Sequence, residues 1–400
     1  MSNRDVLEGQ SIAVVHGNYL ARGGGEVVAE AIARTFDGPL YYGFGYDKYE
    51  PDDIETHSLF NDAFMGSVIK RIYQMRDLYY MKAFRYVPEL HDYDILIQSG
   101  NEMGWYVPPE DQVIVKYTHS TPRNIYDRYP VRAGEGSWLS RAIYGLYTFV
   151  ARQLYETVLS YPDMYVANSE VIERRIDKYW GKSDPEVRVV YPPVETENYG
   201  QQHAADAPID ERYYLALDRI ESSKHIDRIA DAFTELPHTL VVAGDGSMRE
   251  DLEKEYAGFD RIEFLGYVSE NDKRALLASA EALVYAAEGE DFGIVPIEAF
   301  ASGTPVIGPD EGFTHYQVEE GVNGYLYDST AETLRRTVER FETDGVEAPP
   351  HAIEEFAEQF DTASFREGMQ NAVEVAIERN RIETSLKPPT EFVEQEVSHD

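Results

Sequence analysis

The strongest constraint on the fold is a rhythm. Short apolar runs alternate with helical stretches in two series, separated by a proline-rich break. In the first series Ile12-Ala13-Val14-Val15-His16 reads as a buried strand, followed by a glycine-rich turn and a helical stretch from Glu26 to Phe36. Further strands are expected over 40–44, 94–98, 113–118, 164–168 and 187–191. Ser169 is placed to N-cap a helix over 170–180, which carries Val171, Ile172 and Ile176. Alternation of this kind predicts a parallel sheet covered by helices. Tyr191-Pro192-Pro193-Val194 breaks it, and the polar stretch up to Pro208 reads as a linker, the alternative being a loop inside one large domain. A second series opens at Tyr213-Tyr214-Leu215-Ala216-Leu217, with strands expected over 239–243, 261–265, 282–285, 305–308 and 324–327. The expectation is an α/β protein of two Rossmann-like, doubly wound domains, 1–195 and 196–363. A helix over about 364–380 packs back on the first domain, and 381–400 form a polar tail.

Two cores fit the composition: 400 residues exceed one ordinary core, and 43% of them are hydrophobic. No apolar run has the length of a membrane span, and nothing after Met1 resembles a signal peptide, so the chain reads as cytoplasmic. The absence of cysteine excludes disulfides, thiolate metal sites and cysteine nucleophiles. Acidic residues number 73 against 36 basic ones, a net charge of −37. Self-repulsion of that size opposes compaction in dilute buffer, whereas molar salt shortens the Debye length to about 3 Å. The sequence therefore looks like one from a salt-loaded cytoplasm, the alternative being a merely acidic enzyme. The same charge argues against nucleic acid as a partner.

Five segments carry candidate chemistry. The longest runs from Glu290-Asp291-Phe292-Gly293-Ile294-Val295-Pro296-Ile297-Glu298 to Thr304-Pro305-Val306-Ile307. A strand ends before it, and a helix is expected to begin near Pro296, a favoured first helical residue. The N–H groups around Ile294 and Val295 then point at an anion. Glu290 and Glu298 are placed to accept hydrogen bonds from hydroxyls on either side of a diphosphate, the alternative for Glu298 being simple complementation of the helix dipole. Second, Leu217-Asp218-Arg219-Ile220-Glu221-Ser222-Ser223-Lys224 sets two cations five residues apart after a strand, suited to a diphosphate. The alternative is a solvated helix start with ion pairs to Glu221 and Asp227. Third, Gly244-Asp245-Gly246 follows a strand and reads first as a tight connection. Fourth, Gly23-Gly24-Gly25-Glu26 offers backbone amides to a phosphate but is neither a dinucleotide fingerprint nor a P-loop. Fifth, His119 and Arg123 follow the strand over 113–118, where a histidine either faces a ligand or caps a turn.

Together these segments resemble glycosyltransferase family 4, retaining enzymes of the GT-B fold. Glu290, seven residues, Glu298, then Ala299, a small residue, Gly303, Pro305 and Val306 match the family signature. The wording around Glu290 is similar to a branch with many mannosyltransferases. The resemblance implies two domains facing each other across a cleft and a nucleotide-sugar donor. It places Glu290 on the donor sugar, Glu298 on the ribose, and Arg219 and Lys224 on the leaving diphosphate. Gly244 then lies near the nucleotide, and the backbone of Tyr267 and Val268 near the base. Gly24, Gly25 and Glu26 fall near the donor phosphate and acceptor, with Arg123 on the acceptor side and His119 bordering the transferred sugar. It implies hexosyl transfer with retention, from GDP-mannose or a UDP-hexose to a glycan or lipid-linked acceptor, with no cofactor and no metal. Asp92-Tyr93-Asp94 precedes a strand, the wrong place for the metal-binding Asp-x-Asp of the other common transferase fold.

Residues 64–86 reverse the charge of the chain, with Lys70, Arg71, Arg76, Lys82 and Arg85 among aromatics, and 138–150 are also aromatic-rich. Two core-packing helices with a solvated basic face are the first reading; peripheral contact of 64–86 with an anionic membrane is the other. The rival functions are another enzyme of this architecture, such as a nucleotide-sugar epimerase or a phosphorylase, and a non-catalytic nucleotide-sugar-binding partner.

Overall fold

A computed structural model describes residues 7–60, 79–123, 125–126, 137–181 and 186–386. Its first sheet contains β1 (Ile12–Tyr19), β2 (Leu40–Gly45), β3 (Thr56–Ser58), β4 (Ile95–Ser99), β5 (Val113–Thr118), β6 (Met164–Ala167) and β7 (Val187–Val189). Their spatial order is β3-β2-β1-β4-β5-β6-β7. β1 pairs in parallel with both β2 and β4, and β4 with β5. Ala13, Val14, Val15 and Ile95-Leu96-Ile97 are fully buried, as expected of central strands covered on both faces. Helix α1 (Gly24–Phe36) begins two residues before the expected Glu26. Its start is fixed by Glu26 Oε2, which accepts the N–H of Gly23 at 3.0 Å. Helix α2 (Trp138–Glu156) buries only Thr148 and Tyr155, which corrects the expectation of a core-packing helix there. Tyr155 anchors it: Lys116, buried in β5, donates to its hydroxyl at 3.3 Å and stands 5.4 Å from the rings of Tyr155 and Trp180. Burial pulls the Lys116 ammonium down to about 8. Residues 64–78 lie outside the described residues. In the rest of that segment Tyr80 and Phe84 are buried against Phe44 and Phe60, whereas Tyr86 is exposed.

The second sheet follows α3 (Glu170–Trp180) and holds β8 (Tyr213–Leu217), β9 (Thr239–Ala243), β10 (Ile262–Gly266), β11 (Leu283–Val284), β12 (Val306–Pro309) and β13 (Gly324–Tyr327). The order is β10-β9-β8-β11-β12-β13, with every adjacent pair parallel. Along β8, Tyr213, Leu215 and Leu217 enter one apolar cluster and Tyr214 and Ala216 the other, so the sheet separates two cores. Between and after the strands run α4 (Ile226–Thr234), α5 (Arg249–Glu255), α6 (Glu270–Ser279), α7 (Ile294–Ala301), α8 (Thr314–Gln317), α9 (Ala331–Asp344), α10 (Pro350–Ala357) and α11 (Thr362–Leu386). Helix α7 starts at Ile294, so Pro296 is its third residue rather than its first. Proline is tolerated there because a first-turn N–H has no intrahelical partner in any case. Helix α11 runs on through Arg381, where the polar tail was expected to begin, to Leu386.

The chain forms two compact units. The first comprises the described residues of 1–166, 177–188 and 369–400, and the second comprises 167–176 and 189–368. The boundaries expected at 195 and 363 both fall inside the second unit, because α3 and α11 are each divided between the units. In the first unit Asn380 donates to Asp163 at 3.1 Å. In each sheet the strand order reverses once, between β1 and β4 and between β8 and β11. Loops leaving the carboxyl ends of such strands diverge and open a crevice, the usual ligand position of this architecture.

Candidate functional site

In the second unit the reversal brings the loop after β8 against the loop after β11. Lys224 ends a 3-10 turn, Ser222–Lys224, that follows β8. Its ammonium sits 2.7 Å from Glu290 Oε1 and 3.0 Å from Asp218 Oδ2. Burial lowers the pKa of Lys224, but Asp218 and Glu290 outweigh it and hold the ammonium above its ordinary value. Burial acts the other way on Asp218 and raises its carboxyl. The Arg219 side chain is exposed; its backbone N–H donates to Asp218 Oδ1 at 2.7 Å. The structure therefore joins Lys224 to Glu290 and leaves the Arg219 guanidinium outside that ion-pair cluster.

The Glu290 loop is fixed from several sides. Phe313 N–H donates to the Glu290 carbonyl at 2.9 Å, and Phe292 stacks on Phe313 with centroids 5.2 Å apart. Gln317 Nε2 donates to the carbonyls of Phe292 and Gly293 at 2.9 and 3.0 Å. Ser169 Oγ donates to the Asp291 carbonyl and Arg175 pairs with the Asp291 carboxylate. Gly293, at φ 78°, turns the loop into α7. That places the N–H groups of Ile294 and Val295 at the helix start, where no intrahelical acceptor exists.

Glu298 lies in α7 and is buried. Its Oε1 accepts from Tyr199 Oη at 2.7 Å and from Lys273 Nζ at 2.8 Å. Burial lowers the pKa of Lys273, yet Glu298 and Tyr199 raise it overall. Both bonds fall on Oε1, so Oε2 is the oxygen left for a further donor. Sequence reading missed Lys273 and Tyr199; a lysine in so lysine-poor a chain was the available signal for the first, and none marked the second. Gly244 answers to a packing demand: at φ 143° its missing Cβ would lie 1.9 Å from the Asp218 carbonyl oxygen. The Gly244-Asp245-Gly246 turn thus supports the loop that carries Lys224. Tyr267 is exposed and Val268 half-buried just past β10.

In the first unit the reversal joins β1 to β4, and the register sets His16 opposite Ser99. His16 Nδ1 is 3.1 Å from Ser99 Oγ, which is 2.8 Å from His119 Nε2. His16 Nε2 lies 3.8 Å from Glu26 Oε1 at the start of α1. A run of Glu26, His16, Ser99 and His119 therefore crosses the sheet. Burial, with His16 nearby, pushes His119 down to about 3, so its imidazole is neutral above mildly acidic pH. Burial raises the Glu26 carboxyl, but His16 and backbone N–H groups bring it below its usual value. Gly24 and Gly25 form the first turn of α1, and Gly25 passes so near His16 that a Cβ would sit 3.6 Å from Cε1. Arg123 lies three residues beyond Ser120, beside an open groove lined by both. His16 and Ser99 went unremarked in the sequence, where each reads as an ordinary strand residue. Asp94 is structural: Ser11 N–H and Oγ both donate to its Oδ2 at 2.8 Å.

Comparison with known proteins bears on this arrangement in two ways. Residues 201–360 match the model of the family described as glycosyl transferases group 1, a stretch that includes Arg219, Lys224, Glu290 and Glu298. D-inositol 3-phosphate glycosyltransferases of Mycobacterium tuberculosis and Mycobacterium bovis are 29% identical over 188 residues, which is 43% of this chain and 39% of theirs. The match thus spans about two fifths of the length of those relatives. Among solved structures, Anabaena HepE in complex with UDP aligns with a TM-score of 0.66 and 16% identity, covering 90% of this chain and 99% of that one. The lipopolysaccharide outer core galactosyltransferase WaaB aligns with the same score, identity and coverage. WaaG, a glycosyltransferase of lipopolysaccharide biosynthesis, aligns with a TM-score of 0.60 and 17% identity over 91% of this chain. The two doubly wound units are those of the GT-B fold, and the family match falls on the half that holds the paired Lys224 and Glu290.

Proposed function

We propose that this protein is a glycosyltransferase that moves a hexosyl group from a nucleotide-diphosphate sugar, GDP-mannose or a UDP-hexose, to a glycan or lipid-linked acceptor. The observation that carries the reading is Lys224, held between Asp218 and Glu290 at a strand-order reversal inside the matched segment. A diphosphate at that crevice meets the Lys224 ammonium, the Arg219 guanidinium and the first-turn N–H groups of α7. These cations stabilise the charge that develops as the diphosphate leaves. Glu290 exchanges its bond from Lys224 for donor-sugar hydroxyls, and Glu298 Oε2 takes a ribose hydroxyl. Transfer proceeds with retention and without metal. The bond from the anomeric carbon to the phosphate oxygen breaks, the acceptor oxygen bonds the same face, and its proton passes to the departing phosphate. Neutral His119, hydrogen-bonded to Ser99, is placed to orient a hydroxyl of a ligand in the first unit's crevice.

The acidity of the chain is read as adaptation to molar salt, and the enzyme as cytoplasmic; peripheral membrane contact of 64–86 stays the second reading, since Tyr80 and Phe84 of that segment pack in a core. No helix among the described residues is long and apolar enough to cross a membrane.

A thermal-shift screen of UDP- and GDP-sugars in molar KCl tests the donor class. A true donor at one hundred times its Kd stabilises the fold by about 2.7 kcal/mol. Turnover of the stabilising donor is then compared between wild type and Arg219→Ala, Lys224→Ala and Glu290→Ala. No shift with any nucleotide sugar, or wild-type turnover in all three variants, sinks the assignment.

A further inference from the structure

Two non-glycine residues among those described adopt the left-handed backbone region, Asp37 at φ 51° and His225 at φ 49°. Asp37 closes the C-terminus of α1, where that conformation is common. His225 is out of place. It stands immediately before α4, where a capping residue is ordinarily extended, and its side chain makes no capping hydrogen bond. The turn Ser222–Lys224 ends and α4 begins on this one residue, and the abrupt change of direction imposes the positive φ. Glycine meets such a demand without strain, whereas a residue with a Cβ carries a steric cost. Strain kept beside a site points to a use for the side chain.

That side chain reaches the loop after β11. His225 Nε2 stands 3.7 Å from Glu288 Oε2, and Arg228 Nη2 pairs with Glu288 Oε1. Residues 225 and 228 lie about one turn apart and share a face of the helix start. They thus address the two oxygens of one carboxylate. Surface ion pairs contribute little, but the Arg228 side chain is only 15% exposed. The placement is equally telling. Lys224 and His225 are consecutive on the first loop, and their partners Glu290 and Glu288 are two residues apart on the second. The loops are therefore joined twice, once through Lys224 and once beside it.

We propose that His225, Arg228 and Glu288 form a latch, a set of positioning residues that keeps the loops after β8 and β11 together when Glu290 leaves Lys224 for the sugar of a nucleotide-diphosphate sugar. The exchange at Lys224 rests on the glycosyltransferase reading; the second junction does not. In the ligand-free chain the Lys224–Glu290 pair joins the loops, so the latch adds little there. In the complex that pair is open and the latch carries the connection. Without it, donor binding must also order the loops, and affinity falls.

Calorimetric titration of the full chain in molar KCl compares UDP with UDP-glucose and GDP with GDP-mannose. His225→Gly removes the side chain and the strain together. It is expected to keep or raise the ligand-free melting temperature and to bind the nucleoside diphosphate as wild type does. Its affinity for the sugar nucleotide is expected to fall about ten-fold. Glu288→Gln is expected to show the same loss, although removing a negative charge near a diphosphate would by itself tighten binding. The double variant is expected to be no weaker than either single one, because both break the same junction. Wild type that binds a sugar nucleotide while both variants match it overturns the latch and leaves the donor reading intact. Wild type that binds neither sugar nucleotide overturns the donor reading and the latch with it. A lowered melting temperature of His225→Gly, an equal loss for the bare diphosphate, or additive losses in the double variant assign these residues to folding or to separate roles, and each overturns the latch.

Discussion

The two strand-order reversals of this protein occupy equivalent positions in equivalent sheets, yet they are built from opposite chemistry. Between β8 and β11 the contacts are ionic: Lys224 with Asp218 and Glu290, and Lys273 with Glu298 a helix away. Between β1 and β4 the contacts run from His16 to Ser99 to His119, with the carboxylates of Glu26 and Glu102 flanking them. A shared topology thus supplies a crevice but not its function. On the proposed function, paired cations and carboxylates prepare one crevice for a ligand that is itself a polyanion with hydroxyls on either side. A neutral imidazole and hydroxyl chain prepares the other for a ligand with protons to orient rather than charge to neutralise.

The sharpest way to break this contrast is to remove the central cation. Lys224→Ala removes the cation between Asp218 and Glu290, which on the proposed function is the donor to the leaving diphosphate. Turnover is expected to fall about a thousand-fold, the scale seen when a pre-organised electrostatic contact is lost. The check is kcat/KM together with thermal stability, since a fully unfolded variant would say nothing of the site. A loss under ten-fold in a folded variant means that the ionic crevice does not hold the diphosphate.

Lys273 holds Glu298 through a 2.8 Å bond to Oε1 and is a positioning residue. If Glu298 meets the ribose as proposed, Lys273→Met is expected to raise the donor KM about ten-fold while kcat changes little, because that ground-state contact is loosened. Lys273→Arg, which retains charge and donors, is expected to recover most of the affinity. An equal fall in kcat, or no rescue by arginine, assigns Lys273 to folding instead.

The smallest effect belongs to the neutral crevice. Ser99→Ala breaks the bridge between two histidines and is expected to lower kcat several-fold, by about 1 kcal/mol. With His119 held near 3, the pH profile of the wild type shows no His119 titration between pH 5 and 8. The sign for stability is equally definite. A folded pKa below the unfolded value contributes stability that is complete above about pH 6.5 and is lost as pH falls toward 3. Removal of Ser99 is expected to leave the profile flat above pH 5; a new inflection near 6.5 in wild type means that His119 is charged in the working enzyme.

Much of this was legible in the chain. The strands at 12–16, 213–217 and 239–243 announce themselves as unbroken apolar runs, because central parallel strands are covered on both faces. The start of α1 was misplaced by two residues because Gly24 and Gly25 are poor helix formers held in place by the Glu26 cap. Helix α2 was misread because apolar periodicity reports a face that avoids water without saying whether protein provides the cover. Gly244 was marked as a turn, but that its partner is the backbone of Asp218 follows only from the β8–β9 pairing.

The sequence by itself determined the order of elements, the proline break and the loops that bear Arg219, Lys224, Glu290 and His119, since each depends on residues close along the chain. The tertiary structure alone decided which of them meet. Lys224 and Glu290 are 66 residues apart, His16 and Ser99 are 83 apart, and Lys273 and Glu298 are 25 apart. Such pairs are made by strand order, and strand order reflects the packing of whole helices on a sheet, a global balance that no local run of side chains encodes.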